Sequence, residues 1–197
     1  MSGPVAAIDT HHNGRGRPIA RDIPVWDPLV RLIHWSVALA VLLNAVLTDP
    51  EENLHQWVGY VALGLVALRL VWGLVGPRHA RFSAFPPDPR RALRHAAGLI
   101  RGDRTVHLSH NPLGALMAYN IWATIGMLAV TGYMMGTAAF FGVDWVEETH
   151  ELFFNWLMLS VALHVLGVVY DSWRTHVPLV RSMITGRKQV PAGAKVE

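Results

Sequence analysis

Long stretches without charge dominate the pattern of polar and apolar positions along this chain. Asp, Glu, Lys and Arg are all absent from residues 32–48, 53–68, 105–143 and 152–170. A bilayer core of ~30 Å needs about 20 mostly apolar helical residues. The pattern predicts four spanning helices, at roughly 28–48, 54–76, 112–135 and 146–172. The predicted fold class is an all-α, integral membrane four-helix bundle, because such runs leave too little polar surface for a soluble bundle.

Composition agrees with a membrane protein and narrows its chemistry. Hydrophobic residues make up 52% of the 197 residues and charged residues 16%, whereas a soluble domain carries about 25% charge. The chain has no cysteine. Disulfides, zinc–thiolate sites, iron–sulfur clusters and covalently attached c-type haem are therefore excluded, and an ordinary soluble enzyme is disfavoured.

The distribution of charge predicts the topology. All 17 Lys and Arg residues lie at or before Arg31, between Arg69 and Arg104, or from Arg174 onward. The connections at 49–54 and 135–151 carry acidic residues and no Lys or Arg. Because Lys and Arg favour loops that stay in the cytoplasm, we expect both termini and the long middle loop to be cytoplasmic. The acidic connections then face outward, and nucleic acid is not an expected partner.

The segments outside the spans carry further expectations. Residues 1–25 lack the apolar region that a signal peptide needs and are predicted to be a disordered cytoplasmic arm. Residues 26–184 form the four-span domain, and residues 185–197 are predicted to be a disordered tail. In the middle loop, arginines alternate with apolar residues between 90 and 101. This pattern is typical of a short helix that lies on anionic membrane lipids.

Four histidines lie inside the predicted spans or at their ends, where ionisable residues are functional candidates. His150 and His164 are 14 residues apart, nearly four helical turns, so they share one face at heights about 21 Å apart. His34 lies 15 residues before the outer end of its helix at Asp49, which places it at the level of His164. His55 opens the second helix near the outer surface, at the level of His150. The sequence therefore predicts an inner pair and an outer pair.

The seven other histidines are expected in solvated or lipid-headgroup surroundings. They are His11, His12, His79, His95, His107, His110 and His176.

A pair of facing histidines can fill both axial positions of a haem b iron, and four-helix bundles build cofactor sites from facing helices. The alternatives are hydrogen bonds between the histidines or a proton path. Zinc or copper is disfavoured, because two histidines per level supply too few ligands. Arg31 and Arg69 are candidate partners of the propionates of an inner haem. Arg69 alternatively extends its side chain to the inner membrane surface.

Several segments resemble the bacterial cytochrome b561 family, which includes the b-type subunits of nickel–iron hydrogenases and formate dehydrogenases. They are WDPLVRLIHW at 26–35, HQWVGYVALGLVALRLVWGLVGPRHARF at 55–82, HNPLGALM at 110–117, HELFFNWLMLSVALH at 150–164 and RSMITGRK at 181–188. The resemblance covers roughly residues 24–188.

The resemblance implies a multi-pass protein of the bacterial inner membrane, whose bundle holds two haems b and is coupled to quinone. His34 and His164 match the ligands of the inner haem, and His55 and His150 match those of the outer haem. It also implies a quinone site beside the inner haem near the start of the third spanning helix, where Asn111 stands. A turn that leads into the helix explains Asn111 equally well.

The expected function is transmembrane electron transfer between a periplasmic partner and the quinone pool. A cytochrome c or a dehydrogenase subunit with a basic face would match the acidic connections. Arginines should raise the potential of the inner haem and acidic residues should lower that of the outer one, which favours inward electron flow. The alternatives are a stand-alone quinone oxidoreductase that acts on superoxide or another small molecule, a haem-free transporter or proton channel, and a structural anchor. Whether the protein is itself an enzyme stays open.

Overall fold

A computed structural model describes residues 19–50 and 52–197. Within them the order of elements is β1 (Ile19–Pro24), α1 (Pro28–Val46), α2 (Asn53–Val75), α3 (Pro89–Ile100), α4 (Pro112–Met135), α5 (Asp144–Thr175), α6 (Leu179–Thr185) and β2 (Arg187–Pro191). A single 3-10 turn, Phe82–Ala84, lies between α2 and α3. Helices α1, α2, α4 and α5 are long and apolar enough to cross a membrane. The prediction of an all-α membrane protein with four spans is confirmed.

Three helices begin with the same local signature, an Asp or Asn followed by proline. Asp27 Oδ1 accepts hydrogen bonds from the amides two and three residues ahead, at 3.0 and 3.1 Å, and Asp88 caps α3 in the same way. Asn111 Oδ1 accepts from the amide of Gly114 at 2.7 Å. Proline suits the first helical position because its missing N–H would have no partner there. The starts of α1 and α4 therefore follow from short-range sequence.

The four spans pack in the order α1–α2–α4–α5. Apolar side chains fill the middle of the bundle: Ala40, Ala62, Val66, Ile125 and Leu157. Many other large apolar side chains point outward instead. Leu42 and Leu166, for example, are 57% and 64% exposed. An apolar surface on all four helices is typical of protein that faces lipid.

The two ends of the bundle differ in charge. We call the end formed by residues 47–50, residue 52, residues 136–143 and the first turn of α5 the acidic end. We call the opposite end, formed by residues 76–111 with β1, α6 and β2, the basic end. The middle loop at the basic end is largely ordered, because α3 packs against α4.

The prediction of a disordered tail at residues 185–197 is wrong. Residues 187–191 form β2, which pairs antiparallel with β1, so that Asp22 lies opposite Gln189 and Ile23 opposite Lys188. Val190 is 1% exposed and packs in a cluster with Val106 and Val177. The composition of the tail is typical of disorder, but the strand is stabilised by segments far away in sequence. In the predicted arm, residues 19–24 form β1, and residues 1–18 lie outside the described residues.

Candidate functional site

The structure brings together the histidine pairs that the helix arithmetic predicts. His34 on α1 faces His164 on α5, with ring centroids 6.3 Å apart and an angle of 56° between the ring planes. His55 on α2 faces His150 on α5, with centroids 6.4 Å apart and an angle of 60°. Each pair lies at one height in the bundle, and α5 contributes to both.

The separation within each pair fits a metal between two imidazoles. In that arrangement the two ring centroids would be ~6 Å apart, because each metal–nitrogen bond is about 2 Å long and each nitrogen lies about 1 Å from its ring centroid. A direct N–H···N hydrogen bond of about 2.9 Å would bring the centroids to ~5 Å. The observed 6.3 and 6.4 Å match the first arrangement. Among the described residues, no hydrogen bond joins the two rings of either pair.

The helix packing places the pairs between backbones that are not in close contact. Extensive backbone contacts link α1 to α2, α2 to α4 and α4 to α5, but within the described residues they do not link α5 to α1 or α2. The histidines are nevertheless contributed by these separated helices. Gly132 of α4 approaches the site closely, since a Cβ added there would lie 3.4 Å from Cε1 of His150.

The pair at the acidic end is hydrogen-bonded to hydroxyl groups. Oγ1 of Thr131 lies 2.9 Å from Nδ1 of His150, and Oγ1 of Thr48 lies 3.2 Å from Nδ1 of His55. In both rings the hydrogen bond engages Nδ1, which leaves Nε2 for a ligand. Neither threonine could be recognised as a site residue from the sequence alone.

The predicted arginines lie at the basic end with unused donors. Arg31 stands one turn before His34, and its Nε is buried without a hydrogen-bond partner. Arg69 is 4% exposed, and its Nη2 donates to the carbonyl oxygen of Ala80 at 3.0 Å, while Nη1 has no partner. Arg69 therefore does not extend to the membrane surface, the alternative considered above. Buried, unsatisfied guanidinium groups fit an anionic group such as a carboxylate.

The aromatic surroundings of Arg69 hold its guanidinium in place. The carbon of the guanidinium lies 5.5 Å from the ring centroid of Phe85 and 5.2 Å from that of Trp122. Such cation–π contacts stabilise a buried cation at a fixed position.

His110 does not lie in the solvated surroundings that were expected from the sequence. Its ring centroid lies 4.9 Å from that of Trp26 and 4.6 Å from that of Phe85, and its Nδ1 is buried without a partner. Burial, helped by the charges of Lys188 and Arg69, lowers the pKa of His110 to about 3. The ring is therefore neutral at physiological pH.

Asn111, the predicted quinone position, has both ends of its side chain engaged. Its Oδ1 caps α4, and its Nδ2 donates to Oδ2 of Asp171 on α5 at 3.3 Å. The role in starting α4 accounts for the first contact, and the second links the start of α4 to α5.

A groove of about 240 Å³ between α4 and α5 begins close to Asn111, at Leu113, and extends to Asn120. On the α5 side it is lined by Trp156, Ser160 and Leu163, among others. Asn120 donates to Oγ of Ser160 at 2.8 Å and accepts from Nε1 of Trp156 at 3.0 Å. The groove is otherwise apolar, and its lining includes Leu163, the residue before His164.

The donor set of each pair fits a haem iron better than an isolated metal ion. No cluster of three or more His, Cys, Asp or Glu side chains occurs within residues 19–50 and 52–197. An isolated zinc or copper ion would lack ligands in such a site, whereas a haem iron needs only two axial ligands from protein.

The family model of prokaryotic cytochrome b561 matches residues 25–186. The chain belongs to this family. It is accordingly a multi-pass membrane cytochrome whose family carries electrons across the membrane on haem b. Comparison of this cytochrome b561 with curated proteins finds no match. The residues of the two histidine pairs all lie within the matched range.

Proposed function

We propose that this cytochrome b561 holds two haems b, one in each histidine pair, and passes electrons between a partner at its acidic end and quinone in its basic half. The observation that carries the proposal is the repeated spacing of 6.3 and 6.4 Å at two levels of α5. A structural pairing of histidines would not require this spacing twice.

The chain supplies the ligands and the surroundings of both sites. His34 and His164 would hold one haem, and His55 and His150 the other. A bound haem supplies a one-electron redox centre whose potential depends on axial ligands, burial and nearby charge. Arg31 and Arg69 would bind the propionates at the basic end through their unused donors. The apolar middle of the bundle excludes water between the two levels.

The charges at the two ends support a direction of transfer. Buried Arg69 and Lys188 at the basic end favour the reduced, more negative state of the nearby site. Asp49, Asp144 and Glu147 at the acidic end disfavour it. Electrons then move from the acidic end to the basic end. Because Lys and Arg favour the cytoplasmic side, we place the basic end and both termini in the cytoplasm of a bacterial cell.

We place the quinone on the lipid side of α4 and α5, in the groove that starts near Asn111. An apolar groove suits the quinone ring and tail, and the polar pair Asn120 and Ser160 offers hydrogen-bonding groups to its oxygens. Leu163 lines the groove directly before His164. The groove therefore supports electron exchange between quinone and the basic-end pair.

The acidic end supports a partner with a basic face, such as a periplasmic cytochrome c or a dehydrogenase subunit. Complementary charge mainly accelerates encounter and makes the rate depend on ionic strength.

The decisive experiment is haem stoichiometry of the purified protein, with spectra of the dithionite-reduced and quinol-reduced forms. We expect two haems b per chain, at least one of them reduced by quinol. His34→Leu and His55→Leu should each lose one haem, and they should lose different ones. His79→Gln, outside both pairs, is the control and should keep both.

One haem or none in the unmodified protein would refute the two-site proposal and favour a haem-free transporter or a structural anchor. Two haems that no quinol reduces would refute the quinone link and favour oxidation or reduction of another small molecule.

A further inference from the structure

Each histidine of the acidic-end pair contacts a threonine on a neighbouring part of the bundle. Thr131 lies on α4 and reaches His150 on α5. Thr48 lies just beyond the end of α1 and reaches His55 on α2. An imidazole that binds iron through Nε2 must carry its proton on Nδ1. Each histidine is therefore ready to bind iron only if it donates the hydrogen bond and the threonine accepts it.

The hydroxyl group of Thr131 donates its proton to the backbone of its own helix. Its Oγ1 lies 2.9 Å from the carbonyl oxygen of Met127 and 3.2 Å from that of Leu128, and a carbonyl oxygen can only accept. A hydroxyl has a single proton. Oγ1 of Thr131 therefore accepts from His150, so that Nδ1 of His150 carries the proton and Nε2 presents a lone pair.

The same reasoning applies to Thr48, with a side chain as the acceptor. Nδ2 of Asn44 donates to the carbonyl oxygen of His55 at 3.1 Å, which orients the amide so that its Oδ1 lies 3.2 Å from Oγ1 of Thr48. The proton of Thr48 goes to this oxygen. Oγ1 of Thr48 is then the acceptor for Nδ1 of His55.

The basic-end pair has no equivalent contact. Within the described residues, the rings of His34 and His164 form no hydrogen bond, and the ring of His34 packs edge-on against Trp35 with centroids 5.3 Å apart. The two levels therefore differ in how their ligands are held.

We infer that Thr48 and Thr131 are positioning residues that fix the tautomer of His55 and His150 and thereby lower the reduction potential of the acidic-end haem relative to that of the basic-end haem. The inference depends on the proposed binding of two haems. A hydrogen bond from Nδ1–H makes the ligating nitrogen more basic, and a more basic ligand stabilises the oxidised iron. This effect adds to that of the surface charges and acts on the acidic-end site alone.

The test is a spectroscopic redox titration of the intact cytochrome with both haems bound. Thr131→Val keeps the shape of the side chain and removes the acceptor. The midpoint potential of the lower-potential step should rise by up to ~59 mV, which for one electron is a tenfold change in the ratio of reduced to oxidised haem. The potential of the other step should not change. Thr131→Ser keeps the hydroxyl group and should leave the potential of this step at its original value.

Thr124→Val is the matched control. Thr124 lies on the same helix two turns earlier, is 3% exposed and donates its hydroxyl proton to the carbonyl oxygen of Asn120 at 2.8 Å. Within the part of the chain that the structure describes, no hydrogen bond joins Thr124 to a histidine of either pair, so neither step should move.

Two results would overturn the inference: both steps unchanged in Thr131→Val, or both shifted equally. If Thr131→Val loses haem, Thr48→Val tests the same effect at a half-buried residue. An unchanged potential of the lower-potential step in Thr48→Val refutes the inference. A second haem missing from the unmodified protein would instead refute the proposed function. The two failures are therefore distinguishable.

Discussion

Lys188 on β2 connects the tail of the chain to the basic end of the bundle through a buried charge. Its side chain is 4% exposed, and Nζ donates to the carbonyl oxygens of His107 and Ser109 at 2.8 and 3.0 Å. Nζ also lies 5.5 Å from the ring centroid of Trp26. Burial lowers the pKa of Lys188 from 10.5 to about 8. We therefore predict that the docking of β2 depends on pH.

The direction of this pH dependence follows from the number of protons that the docked and detached states bind. Between pH 8 and 10.5, Lys188 is charged when β2 is detached but increasingly neutral when β2 is docked, so the detached state binds more protons. Docking therefore becomes more stable as pH rises through this window. A lowering of the pKa from 10.5 to about 8 corresponds to about 3 kcal/mol, since each pKa unit is ~1.4 kcal/mol. Below pH 8 the charge is present in both states and the stability is constant.

The absence of cysteine from the chain makes a clean assay possible. Val190→Cys places a single thiol where the native side chain is 1% exposed, so that a thiol reagent reacts only when β2 detaches. The rate of reaction is divided by that of a cysteine in an unstructured peptide at the same pH, which corrects for the thiolate fraction. The protection of the thiol from the reagent should then increase by roughly 100-fold between pH 8 and 10.5. Lys188→Met, combined with Val190→Cys, should abolish the increase. Protection that falls with pH, or that rises equally with Lys188→Met, would refute the reasoning.

Three further predictions concern the charges. Arg69→Gln should lower the potential of the basic-end step by tens of millivolts, since one charge at ~10 Å contributes about 1–2 kcal/mol; a redox titration checks this, and an unchanged step would contradict it. Glu147→Gln should slow reduction or oxidation by a basic cytochrome c and weaken its dependence on salt, measured by stopped flow from low to high ionic strength, with no effect on the quinol reaction. Replacing Arg90, Arg91 and Arg94 of α3 by Gln should abolish any preference for anionic over zwitterionic lipid when the protein is reconstituted in mixed vesicles and its bound lipid is analysed; an unchanged preference would place the lipid contact elsewhere.

The spans and the histidine pairing could be predicted from the sequence because both depend on short-range regularities. The length of an uncharged run indicates a span, and the 14-residue separation of His150 and His164 fixes their common face. Asp27 and Asn111, each followed by proline, indicate the starts of α1 and α4. Even so, α5 begins at Asp144 and extends to Thr175, beyond the predicted 146–172, because polar residues continue the helix outside its apolar part.

The rest depends on contacts between segments distant in sequence. A threonine inside an apolar helix usually bonds to its own backbone, so the contact of Thr131 with His150 follows only from the packing of α4 on α5. The strand β2 has no apolar alternation of its own and is specified by β1. His110 is buried because Trp26 and Phe85, from two other parts of the chain, meet around it.

The participation of α5 in both histidine pairs has a consequence for biosynthesis. A nascent chain that has inserted α1, α2 and α4 contains His34 and His55 but no partner for either. Neither of the proposed haem sites is complete until the last span enters the membrane, so under this proposal haem binds only after the final insertion step. A chain truncated before α5 therefore lacks both proposed sites rather than one.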